Sequence, residues 1–98
     1  MEDIDKIIVD FNDSARKVMA SFLEKFMTNA DLLSRRSDEN VFQQLQARYA
    51  DSLKAQLNSL AKSYLYQFRS VDMQQLNNRL INSIEIYIHE FLRQTRFF

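Results

Sequence analysis

From Ile4 to Leu33 the apolar positions fall at Ile4, Ile8, Phe11, Ala15, Val18, Met19, Phe22, Phe26, Ala30 and Leu33. Steps of three and four residues return to one side of an α-helix, so this run predicts one continuous helix over about 3–34 with a single wide apolar stripe. Glu2, Asp3 and Asp5 suit the positive end of its dipole. A competing start at Asn12-Asp13-Ser14, which can cap a helix, would leave a short separate segment before it.

A second helix over about 39–69 is carried by Phe42, Leu45, Tyr49, Leu53, Leu57, Leu60, Tyr64 and Phe68. The polar segment Ser34 to Asn40 forms the corner before it, with Ser37 or Asp38 as its N-cap. After a second corner at Arg69-Ser70-Val71-Asp72, a third helix runs over about 72–96 through Met73, Leu76, Leu80, Ile81, Ile84, Tyr87, Ile88, Phe91 and Leu92. Asp72 with Gln75 has the spacing of a capping box, and Ser70 is the rival cap.

Three long rods on short connections predict an all-α, up-down-up bundle of antiparallel helices forming one domain over 1–98. One conflict remains in the pattern. IEIYIHEF alternates apolar and polar residues as a strand does, and KIIVDF near the start can be read the same way, so the two ends could instead pair as a small sheet. An isolated two-stranded sheet is marginal, and helical spacing continues through both stretches.

Composition supports helices over tight turns. The 98 residues include no glycine and no proline, the usual material of hairpins and phosphate-cradling loops. The absence of cysteine removes disulfides, thiol nucleophiles and thiolate metal sites. Thirteen basic and thirteen acidic residues give a formal charge of zero, which argues against a nucleic-acid specialist. With an acidic start and no long apolar run, the expectation is a cytoplasmic protein with no membrane association.

No catalytic constellation emerges, and no cofactor or metal is expected. His89-Glu90-Phe91-Leu92-Arg93 begins like the zinc-protease motif, but Arg93 stands where the second histidine would share the metal. Glu85 and His89 lie one helical turn apart, yet the chain holds a single histidine, and a carboxylate-bridged di-metal bundle needs two. Carboxylate pairs such as Asp10 with Asp13 occur where helix starts explain them. The Trp-x-Gly signature of small secreted helical hairpins is excluded, because tryptophan and glycine are both absent.

Two surfaces stand out. Arg48, Lys62 and Arg69 are separated by multiples of seven and share a line along the second helix, with Tyr66 beside it, a pattern that could hold a phosphate backbone weakly. More apolar residues are present than one stripe per helix requires: Val9, Met27 and Leu32 in the first, Leu65 in the second, Ile86 and Phe97 in the third. The third helix reads as apolar nearly all round, and such a helix is expected to be buried on more than one side. The expectation is therefore a non-enzymatic interaction module, an adaptor, regulator or chaperone-like subunit. Its contact surface would comprise Ile84, Ile86, Ile88, Phe91, Phe97 and Phe98, its partner a second copy or another helical protein, with nucleic-acid binding as the alternative.

Overall fold

The computed structural model describes residues 3–34, 39–68 and 72–95, without the side chains of 30–34 and 39–41. It contains three α-helices, α1 (Ile4–Ser34), α2 (Glu39–Gln67) and α3 (Met73–Thr95). Both stretches with strand-like alternation lie inside helices. The chain is a rod of 55 × 18 × 18 Å in which every helix packs on the other two.

Helix α1 starts at the chain's acidic end, not at Asn12. The Asp3 carboxylate accepts the Asp5 amide at 2.9 Å, and the Asp3 carbonyl accepts the Ile7 amide. Asp72 caps α3 in the same way, accepting the Gln74 and Gln75 amides at 3.1 and 3.2 Å. The expected caps Ser37, Asp38 and Ser70 lie outside the described residues.

The stripes meet along the rod's axis. Ile7, Ile8, Phe11, Ala15 and Phe26 of α1, Leu53 and Leu57 of α2, and Leu76, Leu80, Ile84 and Phe91 of α3 are all buried. Toward one end Phe26 acts as the hub, meeting Phe42 at 5.6 Å, Tyr49 at 5.6 Å and Phe91 at 5.8 Å, each edge to face. One ring thereby ties all three helices together. Toward the other end Phe11 meets Tyr64 edge to face at 5.5 Å.

Hydrogen bonds between helices fix their register. The Tyr64 hydroxyl donates to Asp10 at 2.8 Å and lies 3.5 Å from the Ser14 hydroxyl, joining α1 to α2. The Tyr87 hydroxyl donates to the Asn12 carbonyl at 3.3 Å, and Arg79 pairs with Asp5, joining α1 to α3. Between α2 and α3, the Gln46 amide donates to the Thr95 hydroxyl at 2.7 Å, while that hydroxyl donates to the Phe91 carbonyl at 2.8 Å. Thr95 is completely buried, and this chain of bonds satisfies its polar atom.

Candidate functional site

Among the described residues, the contact surface expected on α3 does not form one face. Ile84 and Phe91 are core residues, 2% and 0% exposed, and correct the expectation that a partner would touch them. Successive residues on a helix rotate by about 100°, so Ile86 points nearly opposite to Ile84, while Ile88, one turn on, stays near the Ile84 side. Ile84 enters the core, Ile88 is half-buried, and Ile86 is 65% exposed. Phe97 and Phe98 lie outside the described residues.

Residues with known partners show where each side leads. Arg79 faces α1 through Asp5. Ile86 lies seven residues, or two turns, along that line of α3, and Val9 lies one turn beyond Asp5 on α1. Val9 is 59% exposed, so the α1–α3 seam carries a small apolar strip on its outer side. On the opposite side, Thr95 and Leu92 accept bonds from Gln46 of α2. Ile88 and Ile81 precede Thr95 by one and two heptads and so share its line toward α2.

The α2–α3 seam is the richer of the two. Ile81 is 44% exposed, while Ile88 and Leu92 of α3 and Leu65 of α2 are half-buried against the core. Lys54 on the α2 side and Glu85 on the α3 side are both exposed, and neither has an ion pair or hydrogen bond among the described residues. By contrast, Arg16, Arg79 and Arg93 of α1 and α3 pair with Asp13, Asp5 and Glu90. Hydrogen bonds from Arg93 and Gln94 lower the Glu90 carboxyl to about 2.

On α2, Arg48 and Lys62 are exposed on the outward side, and Tyr66 is 74% exposed beside them. Ser59, Lys62, Ser63, Tyr66 and Gln67 border a shallow open depression there. Arg69 lies outside the described residues. Arg48 and Lys62 stand about 21 Å apart along the helix. Among the described residues, positive charge on this line is thus sparse.

Burial raises the pKa of Tyr64, with Asp10 and Asp13 adding to the effect and the Ser14 hydrogen bond opposing it. The phenol is a neutral strut between two helices. Glu85 and His89 are both exposed. Among the described residues no three histidine, cysteine, aspartate or glutamate side chains cluster as metal ligands, and no helix is long and apolar enough to cross a membrane.

Sequence reasoning missed the pairing of Gln46 with Thr95 and gave Lys54 no role. A signal for the seam was present in the three-and-four spacing of Ile81, Ile84, Ile88, Phe91 and Thr95, which serves the core and its α2 flank together. Compared with known proteins, the chain matches no family model, no curated protein and no solved structure.

Proposed function

We propose that this chain is a non-enzymatic protein–protein interaction module whose contact surfaces are the two apolar seams flanking α3. The observation that carries this reading is the exposure of Ile86, 65% open in the middle of a helix whose core is already filled. Isoleucine is no better a helix former than the polar residues that could replace it there, and its branched side chain loses rotamer freedom in a helix. Neither propensity nor the core explains its place, and the same holds for Val9 and Ile81, 59% and 44% exposed.

The energetics point to a reversible contact. Full burial of such a side chain is worth roughly 1.5–3 kcal/mol, and these residues are already partly covered, so each offers about 1–2 kcal/mol to a partner. Lost freedom on association costs several times that. Each seam alone therefore supports weak binding, strengthened where charged groups match.

The test is to substitute Ile81→Glu and Ile86→Glu singly. The expected result is unchanged helix content and thermal stability, with association lost in at least one variant, measured by light-scattering mass and by cross-linking of the protein in its native cells. If wild type and both variants are indistinguishable monomers that cross-link to nothing, the reading is wrong.

A further inference from the structure

We propose that the α2–α3 seam is the docking site for a second copy of this chain, arranged about a two-fold axis running along the bundle. The inference rests on the interaction-module reading and names the partner of one of its two seams.

Antiparallel register supplies the argument. Gln46 is held to Thr95 at one end, and Phe68 and Met73 flank the corner at the other, so each step down α2 matches one step up α3. Lys54, eight residues after Gln46, therefore lies within one turn of the height of Glu85, ten before Thr95. Within one copy the two make no pair. A two-fold axis parallel to the rod, placed over the seam, leaves height unchanged and lays α2 of one copy across α3 of the other. Lys54 of each copy then meets Glu85 of its mate, and the symmetry forms the pair twice.

Shape follows the same operation. Ile81, Ile88 and Leu92 of each α3 then lie against α2 of the mate. The α1–α3 seam has no such arrangement, because its arginine and aspartate, Arg79 and Asp5, are already paired with each other. An isologous contact of this kind closes at two copies and leaves Ile86 and Val9 outside it.

Charge exchange tests the geometry. Sedimentation velocity should give a wild-type dimer that dissociates on dilution. Lys54→Glu alone and Glu85→Lys alone should each weaken it at least tenfold, since like charges then meet at the contact. Mixing the two variants should restore a heterodimer to within a few-fold of wild-type affinity, because each opposite pair is re-formed across the axis. Equal helix content in both variants separates loss of contact from loss of fold. A wild-type dimer indifferent to both substitutions, but broken by Ile86→Glu, would overturn this inference and leave the interaction-module reading in place. Failure of the mixed variants to associate would also overturn it, as would a wild-type chain that remains monomeric at every concentration.

Discussion

Truncating Phe91 to alanine separates a core role from a contact role more sharply than any other single substitution. Its ring is fully buried and packs edge to face on Phe26, the residue that joins all three helices. Removing a buried phenylalanine forfeits its transfer free energy and leaves a cavity that neighbours fill only in part, costing about 3–5 kcal/mol. A domain of this size has about 5–15 kcal/mol of stability in total, so the loss is a large fraction of it. At about 4–8 °C per kcal/mol, the melting temperature should fall by roughly 12 °C or more. Urea unfolding followed by circular dichroism gives the free energy directly, and the dependence on urea should remain similar if the native state stays compact. Ile86→Ala, at an exposed position of the same helix, should change stability by no more than about 0.5 kcal/mol. A Phe91→Ala cost below about 1 kcal/mol would refute the packing described here.

Three further outcomes follow from particular contacts. Because burial raises the folded-state pKa of Tyr64 above its ordinary 10.0, the neutral phenol stabilises the fold below about pH 10, and that contribution is lost as pH rises through the folded value. Urea midpoints between pH 8 and 11 should accordingly fall more steeply in wild type than in Tyr64→Phe; parallel curves would contradict the buried phenol. Asp72→Ala removes the acceptor for two amides at the start of α3 and should cost about 1 kcal/mol, while Asp72→Asn should retain most of it. Arg93→Gln should return the Glu90 carboxyl from about 2 toward the ordinary carboxylate range in an NMR titration, and an unchanged value would show that Arg93 is not what holds it down.

The three helices were legible because their apolar residues recur every three or four positions and because capping aspartates precede α1 and α3. Alternation at Ile84, Ile86 and Ile88 suggested a strand, and then a single apolar surface, because adjacency in sequence was taken for adjacency in space. Helical rotation turns Ile86 away from Ile84 and Ile88, and the neighbouring helices decide which of them is covered. The destination of each side of α3 depends on long-range partners, Asp5 for Arg79 and Thr95 for Gln46, that no local pattern reveals. The same limit applied to Lys54 and Glu85. Each is an ordinary surface charge in the chain, and their common height appears only when α2 and α3 are set in antiparallel register.

This register also changes what the apolar character of α3 means. Leu76, Leu80, Ile84 and Phe91 of α3 are core, which removes the need for a partner to shield them. What remains exposed among the described residues is modest, and it lies in seams instead of on one broad face. Such a surface suits a contact that forms and dissolves with concentration better than a permanent assembly.

The most direct test is light-scattering mass after size exclusion, over a dilution series, for wild type beside Ile81→Glu and Ile86→Glu. The account predicts a wild-type mass that rises toward that of a dimer with concentration, a monomeric mass throughout for Ile81→Glu, and near-wild-type behaviour for Ile86→Glu. Three identical monomer masses at every concentration would contradict it.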